Sequence, residues 1–177
     1  MKFRRLTDKQ YITYVVIILF GIGTDQLTKL LSEIFLTRVP TVPLWEGVLH
    51  LTYVENTGAA FGMLKDSRWV FLVVSFFMLA VLIPYLFGGL CEGKLSSVAV
   101  SMVISGGIGN MIDRLSKGYV VDFIDVRLIH FAVFNVADSF VCVGAGLLIL
   151  ALLLGIADEE KKKKVASPEA SKKSEER

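Results

Sequence analysis

Histidine and cysteine are scarce in this chain: each occurs twice among 177 residues. His50 and His130 stand in no His-Glu-x-x-His arrangement, which removes the usual helix-borne zinc site. No Gly-x-Ser-x-Gly elbow is present, and serines in the apolar stretches have no evident histidine partner, which argues against a serine triad. Phosphate-binding glycine loops are missing too. Cys91 and Cys142 fall at opposite depths of the apolar spans, so they read as two inert thiols with no disulfide between them.

Apolar sequence is what the chain has in abundance. Hydrophobic residues make up 54% of it, and the mean hydropathy is +0.61. They gather into uninterrupted blocks, and about 20 such residues suffice to cross a bilayer. The first block, 11–31, is clean as far as Thr24 and then broken by Asp25 and Lys29. Residues 69–90 and 95–112 carry no charge, and the latter block stops at Asp113-Arg114. The fourth block starts near Asn135 and is apolar over 139–157. Lys2, Arg4 and Arg5 precede the first block as in a signal peptide, but no small-residue cleavage site follows, so it reads as an uncleaved helix.

These blocks predict an all-α polytopic membrane protein with a single integral membrane domain over 1–157. A charged, disordered cytoplasmic tail is expected over 158–177. Lys2, Arg4, Arg5 and Lys9 at one end and the lysine run 161–164 at the other place both termini in the cytoplasm. The net charge of +2 adds little to this. Two segments then face outward, roughly 32–68 and 113–134. In the first, Pro40 and Pro43 favour extended chain, Val48-Leu-His-Leu-Thr-Tyr-Val54 reads as a strand, and Glu55-Asn-Thr-Gly-Ala-Ala-Phe-Gly62 as a tight turn or short helix. Gly118-Tyr-Val-Val-Asp-Phe-Ile-Asp-Val126 is again strand-like, so a small sheet is expected to cap the bundle. Trp45 and Trp69 fall near the outer interface, where amphipathic rings collect. Ser105-Gly-Gly-Ile-Gly109 offers close helix packing or a gap for substrate.

Polar residues concentrate at the outer edge, and each has two readings. Asp25 and Lys29, four apart on one helical face, neutralise each other or face a substrate. Arg114, closing Asn110-x-x-Asp113-Arg114, complements a helix C-terminus or contacts substrate. Asn135-x-x-Asp138 before an apolar run has the form of an N-cap. That does not explain Asp122, which lies among Val120, Val121, Phe123 and Ile124. A carboxylate at bilayer depth costs roughly 2.5–3.5 kcal/mol and is rarely left without a partner or a role. Two carboxylates ~4 Å apart repel by about 4 kcal/mol at an effective dielectric of ~20, about three pKa units, so such a pair holds one proton near neutrality. By strand alternation Asp125 points away from Asp122, toward solvent.

At these residues the chain resembles the bacterial lipoprotein signal peptidases, also called signal peptidase II or prolipoprotein signal peptidase. The matching blocks are Thr24-Asp-Gln-Leu-Thr-Lys29, Glu55-Asn-Thr-Gly-Ala-Ala-Phe-Gly62, Gly107-Ile-Gly-Asn-Met-Ile-Asp-Arg114, Gly118-Tyr-Val-Val-Asp-Phe123 and Phe134-Asn-Val-Ala-Asp-Ser139. They follow the family's order and leave out little but the tail. The resemblance implies a four-transmembrane-helix bundle with a small extracytoplasmic β-cradle, in the bacterial cytoplasmic membrane. It implies an aspartic endopeptidase with Asp122 and Asp138 as its dyad, cutting prolipoproteins just before a diacylglyceryl-modified cysteine. Asn56, Asn110, Arg114 and Asn135 would line the substrate pocket, and Asp25 and Lys29 join them on the substrate-facing reading. No cofactor or metal is expected, and the partners are the prolipoprotein and membrane lipids, not nucleic acid, met by a monomer. On the residues alone a small proton-coupled transporter also uses intramembrane carboxylates, but the acids here collect at one edge instead of crossing the membrane. A scaffold leaves them without purpose.

Overall fold

The computed structural model describes residues 5–58 and 67–175, with side chains as far as residue 157. Four helices are long and apolar enough to cross a membrane: α1 (Asp8–Leu36), α2 (Arg68–Phe87), α3 (Lys94–Ser116) and α4 (Val136–Glu175), the last over its Val136–Ala157 portion. Strands β1 (Val42–Trp45), β2 (Leu49–Asn56) and β3 (Val120–Val126) form one antiparallel sheet in that order.

Two spans run past their expected ends. α1, expected over 11–31 with Asp25 and Lys29 inside it, continues to Leu36, and α3 continues past Asp113-Arg114 to Ser116. The reason is long-range. The Lys29 ammonium lies 2.9 Å from Asp25 and 3.1 Å from Asp113, with all three side chains at most 1% exposed. Pairing removes the penalty that would otherwise end each helix at its charge. At the far end, helical backbone continues from α4 to Glu175, where a disordered tail was expected. That stretch is rich in Glu, Lys and Ala, good helix formers.

α3 is the central helix, packed against α1, α2 and α4, while α2 has α3 as its main helical partner. The core of the bundle is Tyr14, Ile18, Leu79, Leu86, Cys91, Val100 and Ile104. Of the two roles open to the glycine run, the geometry supports close packing. A Cβ on Gly106 would sit 2.2 Å from the Ala137 carbonyl oxygen, and one on Gly109 would sit 2.5 Å from Asp25 Oδ2. Trp45 and Trp69 are largely exposed, as interface residues would be.

The sheet forms as the proline and β-branched patterns predicted, with Val54 opposite Asp122 and His50 opposite Asp125. The buried His50 ring joins the β1–β2 turn. Its Nε2 accepts the Gly47 N–H at 3.2 Å, while Nδ1 lies 3.3 Å from Thr41 Oγ1. Between α3 and β3 the chain turns through Gly118 at φ +90°, a conformation open to glycine at little cost. Of the expected turn or short helix after Glu55, residues 59–62 lie outside the described residues.

Candidate active site

The N-terminus of α4 is where the site converges. Asn135 is its cap: Asn135 Oδ1 accepts the Asp138 N–H at 2.9 Å, and Asp138 Oδ2 accepts the Asn135 N–H at 3.2 Å. This is the reciprocal arrangement of a capping box, with Asp138 three residues into the turn. The next free amide, Ala137 N–H, donates to Asp25 Oδ1 of α1 at 2.9 Å. The helix start is therefore fixed from two sides.

Asp138 has a second partner, since its Oδ1 accepts from Asn110 Nδ2 of α3 at 2.7 Å. Asn110 is itself oriented from behind, because its Oδ1 accepts from Lys29 Nζ at 2.9 Å. An ammonium can only donate, so it dictates that the Asn110 carbonyl faces Lys29 and the NH2 faces Asp138. Gln26 Nε2 completes the layer, donating to Asp25 Oδ2 at 3.1 Å and to the Gly109 carbonyl at 3.2 Å.

Asp122 is delivered by β3. The Val121 N–H donates to Asp113 Oδ2 at 3.1 Å, which fastens the strand to α3 one residue before the carboxylate. Asp122 Oδ2 accepts from Asn56 Nδ2 of β2 at 2.8 Å, and Oδ1 accepts from Asn135 Nδ2 at 2.6 Å. Asn135 Nδ2 also lies 3.1 Å from Asn110 Oδ1, so two amides link the two carboxylates. Burial pushes the Asp122 carboxyl up to about 6 and the Asp138 charge adds to this, while the hydrogen bonds from Asn56 and Asn135 oppose it.

Asp122 and Asp138 line one cavity of about 320 Å³ with Asn56, Asn110 and Arg114. Arg114 lies over the Phe71 ring of α2, 4.7 Å from its centroid, and Nη2 donates to the Gly58 carbonyl at 3.3 Å. Asn135 is fully buried behind this wall. Asp25 and Lys29 are buried below it, not on the cavity lining; Lys29 acts on the wall through Asn110 and Asp25 through the Ala137 amide. Asp125 does take the opposite strand face, but it is not left to solvent. It accepts from Thr52 Oγ1 at 2.8 Å and from Arg127 Nε at 2.9 Å. Burial alone would raise its pKa, yet these donors hold it below the ordinary carboxylate value.

Sequence reasoning missed Phe71, Cys142 and Gln26. Phe71 is one apolar residue within an apolar run and gives no signal. Cys142 stands four residues after Asp138 and so shares its helical face, a signal that was legible.

The profile described as Signal peptidase (SPase) II matches residues 17–154, which include every residue of this network. The chain belongs to the signal peptidase II family. It is therefore a peptidase, and its apolar helices make it a multi-pass membrane protein. The lipoprotein signal peptidase of Clostridioides difficile (strain 630) is 42% identical over 147 residues, covering 79% of this chain and 94% of the relative. That of Caldanaerobacter subterraneus subsp. tengcongensis is 46% identical over 140 residues, with the same coverage of 79% and 94%. Among solved structures, a bacterial membrane enzyme determined by the in meso method at 2.3 Å superposes with a TM-score of 0.77 and 29% identity. The match covers 89% of this chain and 96% of that one. The signal peptidase II fold is thus the four-helix bundle with its small sheet described above.

Proposed function

We propose that this signal peptidase II is an aspartic endopeptidase, with Asp122 and Asp138 as catalytic pair, cutting prolipoproteins just before a diacylglyceryl-modified cysteine. The observation that carries the reading is that both carboxylates line one cavity while, among the described residues, their bonded partners are amide N–H groups alone. Amides fix the oxygens without neutralising them, so the pair can hold one proton and one charge. The raised Asp122 and the helix-start position of Asp138 favour the proton on Asp122 and the charge on Asp138.

In the proposed reaction a water oxygen bonds to the scissile carbonyl carbon. Its proton passes to ionised Asp138, while Asp122 gives its proton to the carbonyl oxygen. On collapse, Asp138 delivers its proton to the amide nitrogen, the C–N bond breaks, and the hydroxyl proton of the intermediate returns to Asp122. No covalent enzyme intermediate and no metal takes part. Asn56 and Asn110 hold the carboxylates at the cavity wall, and Arg114 stands beside them for a substrate carbonyl or a lipid headgroup. Asn135, Asp25 and Lys29 act from behind the wall.

α2 and α4 both pack against α3 and contribute Phe71 and Cys142 to the cavity lining. A substrate anchored in the bilayer would enter between them. Acyl chains bring about 0.8 kcal/mol per buried CH₂, which concentrates a lipidated precursor at the depth of the carboxylates. With the basic termini in the cytoplasm, this site faces the extracytoplasmic side of the membrane. Cleavage of a diacylglyceryl precursor should therefore far outpace cleavage of the same precursor with an unmodified cysteine, with or without a chelator. Equal rates for the two would remove the lipid from the reading. Loss of activity on chelation, restored by one divalent ion, would remove the carboxylate mechanism.

A further inference from the structure

At the opposite end of the bundle the first turns of α1 and α3 lie side by side around a second cavity of about 300 Å³. Its lining is Lys9, Gln10, Thr13 and Tyr14 from α1 with Lys94 and Val98 from α3. We propose that this cavity binds a phosphate-bearing anion at the depth of the lipid headgroups, independently of the catalytic reading.

Three observations converge on it. Lys9 and Lys94 come from different helices and are exposed, and among the described residues neither pairs with a carboxylate, Asp8 and Glu92 included. The two helix starts are also built differently. α1 has a complete capping box from Thr7 and Gln10 and an acid, Asp8, in its first turn. α3 begins after Gly93 with no side-chain cap, no acid in its first turn, and Lys94 as its first residue. A lysine at the positive end of a helix is unfavourable unless an anion balances both. Finally, Tyr14 is only 6% exposed; its ring packs edge-on against Phe87, and its hydroxyl has no hydrogen-bond partner among the described residues. An unpartnered hydroxyl on a buried ring, lining one cavity with two unpaired ammonium groups, is a donor set for phosphate oxygens.

The test uses the full chain in neutral detergent micelles, with bound ligand counted by native mass spectrometry. The probes are dioleoyl phosphatidylglycerol, dioleoyl phosphatidylcholine and inorganic phosphate. Wild type should retain phosphatidylglycerol in preference to phosphatidylcholine. The double variant Lys9→Gln/Lys94→Gln should lose roughly tenfold in apparent affinity, about one charge-assisted hydrogen bond. Tyr14→Phe should lose less, and Lys117→Gln at the other end should lose nothing. Saturable binding of inorganic phosphate that the double variant abolishes, without phosphatidylglycerol retention, would assign the site to the free anion. Equal retention by wild type and the double variant for every probe, at matched thermal stability, would overturn the site. So would equal retention of the two lipids by wild type together with no saturable binding of inorganic phosphate.

Discussion

Asp25 and Asp113 on one side, and Asp122 and Asp138 on the other, belong to a single hydrogen-bonded network and are held in opposite ways. The first pair closes on the Lys29 ammonium, at 2.9 and 3.1 Å, in surroundings from which water is excluded. Its charges are spent on holding α1, α3 and the start of α4 together. The second pair is bonded by the amides of Asn56, Asn110 and Asn135 and the backbone of Asn135, and it opens on the cavity. A cation next to a carboxylate supplies its counter-charge and ties it into the packing of the helices. Amide donors leave its protonation free to change, which chemistry needs.

The largest effect should separate the two pairs by activity. Asp122→Asn and Asp138→Asn should each lower cleavage by about a thousandfold or more while the protein stays folded, because each removes one proton-transfer group at constant size. The assay is release of signal peptide at matched protein levels, and normal turnover by either variant would reverse the assignment. The next effect should separate them by stability. Lys29→Met leaves two carboxylates buried without their cation and should cost about 3–5 kcal/mol in denaturant unfolding. Combining it with Asp25→Asn and Asp113→Asn should recover part of that loss, and no recovery would mean that Lys29 acts by packing instead.

A smaller effect concerns pH. The Asn56 hydrogen bond favours the ionised form of Asp122, so Asn56→Ala should raise the carboxyl's pKa. The limb of the kcat/KM profile governed by Asp122, with its midpoint near pH 6 in the wild type, should then move to higher pH. A downward or absent shift would show that Asn56 does not tune this carboxyl. The smallest change should come from Asp125→Asn. Its partner Arg127 is half-exposed, and such pairs contribute under about 1 kcal/mol. Cleavage within about twofold of wild type, read in the same assay, is expected, since the hydrogen bonds of Asp125 among the described residues go to Thr52 and Arg127, outside the network.

The sequence showed where the four helices and the strands run, because hydropathy and β-propensity are local properties. It could not show where α1 and α3 end. Their limits depend on Lys29 meeting Asp113, 84 residues away, and no local pattern carries that pairing. For Asn135 and Asp138 the capping and functional readings stood as rivals in the sequence. The structure shows that they are compatible: one carboxylate oxygen caps the helix and the other faces Asn110. Asp25 and Lys29 were visible as polar residues in an apolar span, but whether they faced the cavity or its support depends on burial, which spacing does not reveal.

The first turn of α4 has a consequence for the order in which the protein becomes active. Asp138 reaches its place only when the Ala137 amide has docked on Asp25, so the first membrane segment to be made must receive the last. Asp122 precedes Asp138 by 16 residues and is therefore made before it. A chain caught halfway through insertion has one carboxylate and no partner for it. On the proposed chemistry, the nascent protease stays silent toward its neighbours in the translocation machinery until the bundle has closed.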